Sequence, residues 1–118
     1  FDPDSGYQQM KDLLRTNKLP TAVFVASDVV AIGAKAAIVE KGLRIPGDIA
    51  LVGFDDIPLA RYLDPPLTTV RLPASELATR ASQMLVQLIN KDTPAEQLVL
   101  LESQLIVRQS CGAGLPFH

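Results

Sequence analysis

The chain has 118 residues, of which 47% are hydrophobic and 20% are charged, and its formal net charge is −2. This composition is typical of a folded globular domain and argues against a disordered segment. The slight negative charge and the absence of a basic run argue against a surface that binds nucleic-acid phosphates, because such a surface needs clustered lysine and arginine.

The chain carries one cysteine, Cys111, and one histidine, His118. These two residues can form neither an intrachain disulfide framework nor a Cys/His metal site. No apolar run is long enough to cross a bilayer, and no signal peptide is evident, although the chain does not begin with methionine. The single unpaired cysteine suits a reducing compartment, and we expect a cytoplasmic protein with no membrane partner.

The beginning of the chain predicts a helix followed by a strand. Asp4 or Ser5 is placed to cap a helix that continues to about residue 17. The wholly apolar run at residues 22–26 is typical of a strand that is buried on both faces of a parallel sheet.

Ser27 or Asp28 begins a second predicted helix, which continues to about residue 41. Gly42 follows in the usual position of a left-handed cap residue. The many small residues of this helix indicate close packing, either against the sheet or against a second subunit.

The next two strands are predicted at residues 49–54 and 67–72. The first is apolar and ends at the acidic pair Asp55 and Asp56, and the second is rich in β-branched residues. Between them, Pro58 is placed to begin a short helix.

A long helix follows, which Ser75 is placed to cap and which continues to about residue 90. Its apolar face, at helical spacing, consists of Leu77, Ala81, Met84, Leu85, Leu88 and Ile89. Two strand-like runs come next, at residues 97–101 and 104–108.

The alternation of strands and helices predicts an α/β fold with a parallel sheet flanked by helices. Ligands bind such sheets at the carboxyl ends of the strands. Three features of the sequence fall there: Ser27 with Asp28, Asp55 with Asp56, and the end of the third strand near Leu72.

Each acidic feature has two interpretations. Asp55 or Asp56 can cap the short helix at Pro58, or it can accept hydrogen bonds from a ligand that carries hydroxyl or amino groups. Because the side chains of adjacent residues in an extended segment point in opposite directions, one aspartate can cap the helix while the other faces the ligand. Ser27 and Asp28 more often form a helix cap than a binding site.

We expect no enzyme and no cofactor. Cys111 has no nearby base, and the glycines lack the spacing of a phosphate-binding loop. A Mg²⁺ site built from Asp28, Asp55 and Asp56, as in receiver domains or phosphohydrolases, is the alternative. Such sites also need a cation at the end of a later strand, and only Arg71 is placed even roughly there. Its expected role is a solvated or salt-bridged side chain.

Four runs of sequence, at residues 20–28, 42–49, 52–58 and 64–71, make the chain resemble the LacI/GalR family of transcriptional regulators. They include the Ser-Asp pair before the second helix, a Gly-Phe-Asp-Asp motif and a Thr-Thr-Val-Arg run. The four runs occur in the family's order, and the likeness covers residues 2–110.

The resemblance implies a type I periplasmic-binding-protein-like effector domain, in which a ligand is held between two subdomains. It also implies a longer parent protein whose DNA-binding domain lies outside this chain. The implied organisation assigns residues 1–72 to the C-terminal subdomain, 73–101 to the N-terminal subdomain, 102–110 to a returning strand and 111–118 to a tail.

The resemblance further implies site residues. Asp55 resembles the carboxylate that binds sugar hydroxyls or a purine, and Ser27 resembles a second polar contact. Asp28, Asp56 and Leu72 would lie at the cleft or cap a helix. Relatives often have glutamine at the position of Leu72, so the leucine removes a hydrogen-bonding group. Dimer contacts would involve Ile32, Lys35, Ala36, Tyr62 and Leu63.

The implied function is effector sensing and homodimer formation in a transcription regulator, a repressor or an activator, that responds to a sugar or sugar derivative. Operator DNA would be bound through the other domain. The alternative is a periplasmic sugar-binding protein of a transporter, which has the same fold. The apolar face of the helix at 74–90 would either pack back on its own sheet or be covered by another copy of the chain.

Overall fold

The computed structural model describes residues 1–92 and 97–115. In chain order the elements are α1 (Pro3–Leu13), β1 (Ala22–Phe24), α2 (Asp28–Glu40), β2 (Ala50–Val52), a short 3-10 helix (Pro58–Tyr62), β3 (Thr69–Arg71), α3 (Ala74–Ile89) and β4 (Gln104–Ile106). The chain divides into two compact units. Unit 1 contains Phe1–Arg71 and Leu105–His118, and unit 2 contains Leu72–Gln104.

The strands of unit 1 confirm the predicted α/β class. β1 and β2 pair in parallel, with Val23 opposite Leu51. Two further parallel bridges, Val52 with Thr68 and Asp55 with Arg71, join the β2 region to the β3 region. β4 pairs with β3. The carboxyl ends of β1, β2 and β3 therefore lie at one edge, as in other parallel sheets.

The core of unit 1 lies between α1, α2, β2 and the loop that precedes β3. Its buried apolar residues are Met10, Leu14, Ala31, Ala34, Ala37, Ile38, Ile49, Leu51, Ala60 and Leu67. Removing such side chains from water stabilises the fold by roughly 25 cal/mol per Å² of apolar surface.

The expectation that residues 22–26 form a strand buried on both faces is wrong. β1 spans only Ala22–Phe24, and the Phe24 side chain is 63% exposed. β1 has β2 as its neighbour on one side and is the edge of the described sheet, which leaves part of its surface in contact with solvent.

α1 and α2 approach each other through two glycines. A Cβ atom on Gly33 would lie 1.7 Å from the carbonyl oxygen of Pro3, and one on Gly6 would lie 2.0 Å from the carbonyl oxygen of Val30. Only hydrogen fits at such distances, so the two backbones are in direct contact. The small residues of α2 were predicted to face the sheet or a second subunit, and their closest approach is instead to α1.

The ends of the first two helices were predicted with mixed success. Asp2, and not Asp4 or Ser5, caps α1, because its carboxylate accepts a hydrogen bond from the Ser5 N–H at 2.7 Å. Gly42 has a φ of +82°, and its N–H donates to the carbonyl oxygen of Val39. The predicted left-handed cap of α2 is therefore confirmed.

Unit 2 contains α3, whose bounds agree with the predicted helix to within one residue at each end. Ser75 does not cap it, since the N-cap position is Pro73 and no side-chain cap bond forms. No residue of α3 is buried. Both predicted coverings of its apolar face, the chain's own sheet and a second copy of the chain, stay predictions. Residues 97–101, predicted as a strand, form none.

Within residues 1–92 and 97–115, no helix combines the length and the hydropathy that a membrane crossing needs.

Replacing Gly33 with alanine tests the close contact between α1 and α2. Helix propensity alone predicts that Gly33→Ala stabilises a helix by about 1 kcal/mol. We expect the opposite sign, a loss of about 1–3 kcal/mol, because the added methyl group must displace the α1 backbone. Urea unfolding followed by circular dichroism measures the change.

Ala36, which is exposed on α2, supplies the matched control. Ala36→Gly should cost about 1 kcal/mol, since helix propensity changes there and no buried contact within the chain does. A stabilised Gly33→Ala variant would show that the two backbones do not touch.

Candidate functional site

The loops that follow β1 and β2 and the end of β3 lie side by side at the carboxyl edge of the sheet. The Asp28 N–H donates to the carbonyl oxygen of Phe54 at 2.8 Å, and the Asp55 N–H donates to that of Val70 at 2.9 Å. These backbone hydrogen bonds place the predicted aspartates at neighbouring positions. The role of each aspartate depends on which groups its carboxylate contacts.

Asp28 is fully buried and holds the neighbouring segments together. Its Oδ1 accepts from the Thr69 hydroxyl at 2.7 Å, and its Oδ2 accepts from the Ile57 N–H at 3.0 Å. A Cβ atom on Gly53 would lie 2.2 Å from Oδ1, so only glycine fits beside this carboxylate. Asp28 therefore neither caps α2 nor faces a cleft, contrary to both predicted roles.

Asp56 is paired with two arginines. Its carboxylate accepts from Arg71 Nε and from Arg108 Nη2, both at 2.7 Å. Burial raises the pKa of Asp56, but hydrogen bonds and charges from Arg108 and Arg71 outweigh this effect and hold the pKa below its usual value. The prediction that Asp56 caps the helix at Pro58 is wrong, because its oxygens are engaged elsewhere and that helix has no side-chain cap.

Arg71 forms a salt bridge with Asp56. The sequence predicted either a salt-bridged or a solvated side chain at this position. The pair is not a wholly exposed one, however, because the Asp56 side chain is only 6% exposed. Exposed ion pairs contribute about 0–1 kcal/mol to stability. Removing one partner of a buried carboxylate is strongly destabilising, because the charge is then left uncompensated.

Asp55 differs from the other two aspartates. It is exposed, and its carboxylate accepts no hydrogen bond from the residues that the structure describes. Its backbone has a φ of 120°, in the region that L-residues rarely adopt. It does not cap the helix at Pro58 either, so its carboxylate is available to a ligand.

Ser27 occupies the N-cap position of α2 without making a side-chain cap bond. It lines a groove of about 420 Å³ together with residues of α1 and β1, among them Met10, Val23 and Phe24. Asp55 is not part of that groove. The two residues that the family resemblance assigns to ligand contact therefore do not share a cavity within unit 1.

The remaining predicted positions lie on the surface or near it. Leu72 is exposed and is the first residue of unit 2. The proposed dimer contacts include two exposed residues, Ala36 and Tyr62. The other three, Ile32, Lys35 and Leu63, are half-buried.

A buried polar cluster next to these aspartates was not predicted from the sequence. The Ser110 hydroxyl accepts from the Thr68 N–H and donates to the carbonyl oxygen of Leu51. Arg108 donates its N–H to the Thr68 hydroxyl and its Nη1 to the carbonyl oxygen of Leu67. Two sequence features belong to this cluster: a Thr-Thr pair in a β-branched run and an Arg-x-Ser sequence after the last strand. Neither feature identifies the residues with which these side chains form hydrogen bonds.

The aspartates do not converge into the magnesium site that the sequence left open. In the described part of the chain, no three His, Cys, Asp or Glu residues are grouped so that they could hold a metal ion. Asp28 and Asp56 use their oxygens for the hydrogen bonds given above, which leaves Asp55 as a single carboxylate.

Comparison with known proteins extends this description. Residues 1–111 match the family described as the periplasmic binding protein-like domain. The HTH-type transcriptional repressor PurR of Pasteurella multocida is 42% identical over 110 residues, which are 93% of this chain and 33% of that protein. The ribose operon repressor of Haemophilus influenzae is 43% identical over 110 residues, with the same 93% and 33% coverage.

Among solved structures, a lac repressor dimer bound to operator and the anti-inducer ONPF aligns with a TM-score of 0.85 and 36% identity. The alignment covers 92% of this chain and 38% of that one. The chain thus spans about a third of the length of the curated relatives it matches. These findings confirm the predicted resemblance and fold: the chain belongs to the family of periplasmic binding protein-like domains, in the form found in LacI/GalR-type effector domains.

Proposed function

We propose that the chain is the effector-sensing and dimer-forming part of a transcription regulator that responds to a sugar or sugar derivative. The observation that carries this proposal is the state of Asp55. It is the exposed aspartate of three at the carboxyl edge of a parallel sheet, while Asp28 and Asp56 are committed to internal partners. Ligands of α/β sheets bind at this edge.

The chemistry of Asp55 suits a polyhydroxy ligand. An ionised carboxylate only accepts hydrogen bonds, and its two oxygens can receive bonds from two neighbouring hydroxyl groups. Bonds to a charged acceptor are shorter and stronger than neutral ones, so one such residue can fix the orientation of a sugar. Ser27 would add a weaker contact, and the leucine at position 72 removes a polar one.

DNA binding would belong to another part of the parent protein. The net charge of this chain is −2, which does not provide the positive surface that operator phosphates require. The relatives described above are repressors by name, which favours a regulator over the transporter-linked alternative. A ligand changes operator affinity only to the extent that it binds one conformation of the protein better than the other.

Dimer formation would use the outer face of α2 and the 3-10 helix. Tyr62 is 76% exposed, and Ala36 and Val39 are exposed on α2. Exposed apolar and aromatic side chains of this kind are typical of interfaces between protein chains.

Replacing Asp55 with alanine in the full product of the gene tests the proposal. We expect Asp55→Ala to lower effector affinity at least tenfold, because hydrogen bonds to a carboxylate contribute about 1.5–3 kcal/mol each. Operator affinity without effector should not change. Thermal shift with D-ribose, D-glucose, sucrose and hypoxanthine identifies a ligand, and calorimetry measures its affinity.

Asp12 provides the control, since it is an exposed aspartate on α1 that, within residues 1–92 and 97–115, forms an ion pair with Arg15 alone. Asp12→Ala should leave effector affinity unchanged. A normal effector response in Asp55→Ala would show that Asp55 is not the ligand carboxylate.

A further inference from the structure

The turn that carries Asp55 has an unusual backbone. Asp55 has a φ of 120° and Asp56 has a φ of 55°, so two consecutive residues with side chains lie at positive φ. Conformations of this kind cost free energy and persist only where the surrounding structure fixes them. The contacts that fix this turn therefore bear on where the Asp55 carboxylate is presented.

Backbone hydrogen bonds restrain each residue of the turn. The Asp55 N–H donates to the carbonyl oxygen of Val70 at 2.9 Å. The Asp56 N–H donates to the Thr69 hydroxyl at 3.3 Å, and the Ile57 N–H donates to Asp28 Oδ2 at 3.0 Å. The acceptors at both ends of the turn are thus on the sheet or on the buried Asp28.

The side chain of Asp56 adds two ion pairs to these restraints. Arg71 Nε donates to Oδ2 and Arg108 Nη2 donates to Oδ1, each at 2.7 Å. The Asp56 side chain is 6% exposed and that of Arg108 is 12% exposed, whereas that of Arg71 is 46% exposed. Solvent therefore screens the Arg71 pair more than the Arg108 pair.

Arg108 is itself fixed in place. Its Nη1 donates to the carbonyl oxygen of Leu67 at 2.9 Å, and its N–H donates to the Thr68 hydroxyl at 2.8 Å. The planar guanidinium group presents donors in a rigid fork, so bonds to Leu67 and Asp56 determine each other's geometry. A lysine ammonium group lacks this planar fork.

We propose that Asp56 is a positioning residue for ligand recognition: held by Arg108 and Arg71, it fixes the turn in which the adjacent Asp55 meets the ligand. The role at the ligand rests on the proposed function, whereas the restraint on the turn does not. Without the two ion pairs, only the backbone hydrogen bonds hold positive φ at both aspartates, and the turn relaxes. The Asp55 carboxylate then leaves the position in which it can receive ligand hydroxyl groups.

Amide hydrogen exchange in the 118-residue chain tests the restraint without a ligand. We expect Asp56→Asn to speed exchange of the Asp55 and Ile57 amides at least tenfold more than exchange of the Leu51 amide. The Leu51 N–H donates to the carbonyl oxygen of Ser110 and serves as the internal reference. Gly33→Ala, which destabilises the chain elsewhere, should speed all three amides by similar factors.

A uniform acceleration in Asp56→Asn would mean that Asp56 contributes only to global stability, and it would overturn the proposal. If Asp56→Asn does not fold, Arg108→Lys gives the same test, because it keeps the charge and loses the fork. The same local acceleration is expected there.

Ligand binding is measured by calorimetry on the full product of the gene, with the compound among D-ribose, D-glucose, sucrose and hypoxanthine that shifts its melting temperature. We expect Asp56→Asn to weaken binding at least tenfold, and Gly33→Ala to change it less than twofold. Equal affinities in wild type and Asp56→Asn would overturn the role at the ligand. If the wild type binds none of the four probe compounds, the proposed function fails, and hydrogen exchange alone then decides the role of Asp56.

The pH dependence of stability offers an independent check. Burial raises the pKa of Asp56, but the facing groups Arg108 and Arg71 lower it by a larger amount. Asp55 is the adjacent acidic residue in the chain. A lowered folded-state pKa means that the stabilisation is complete above the unfolded value of about 3.9 and is lost as pH falls through the folded value.

The difference in melting temperature between wild type and Asp56→Asn should therefore be constant from about pH 7 to pH 5 and shrink below about pH 4. Thermal unfolding by circular dichroism measures this difference. A difference that persists unchanged to about pH 2 would show that the ionised carboxylate does not hold the turn.

Discussion

The buried carboxylate of Asp28 joins three segments that are far apart in the sequence. It accepts a hydroxyl hydrogen bond from Thr69 and an amide hydrogen bond from Ile57, and its Oδ1 occupies the space beside Gly53. Burying a carboxylate is costly unless its oxygens are hydrogen-bonded. Because the donors come from β3 and from the loop after β2, the carboxyl edge of the sheet assembles only when α2 begins in the right place.

The three aspartates at this edge of the sheet have different environments. Asp28 fixes the edge, Asp56 takes up the charge of two arginines, and Asp55 remains exposed at the end of the same strand. The difference arises from position alone, since each neighbour determines whether a carboxylate is neutralised, buried or left to solvent. Asp55 is exposed and unpaired among the described residues, while the polar groups around it are satisfied. In the described residues, no buried side-chain nitrogen or oxygen lacks a hydrogen-bond partner.

Features that depend on local sequence could be predicted, and features that depend on distant partners could not. The α/β alternation, the Gly42 cap and the bounds of α3 follow from periodicity and turn chemistry over a few residues. One partner of Asp28 is 41 residues away at Thr69, and one partner of Asp56 is 52 residues away at Arg108. Residues 97–101 have a strand-like composition, but a strand also needs a neighbour to pair with.

The position of Ser110 has a consequence for how the protein is made. Its hydroxyl and carbonyl groups complete the hydrogen bonding of Leu51 and Thr68, which lie in the middle of unit 1. A ribosome adds residue 110 only after the whole of unit 2 has been synthesised. Unit 1 therefore cannot close its polar core during translation of its own first 71 residues. The nascent segment therefore keeps Leu51 and Thr68 incompletely hydrogen-bonded until residue 110 has been added.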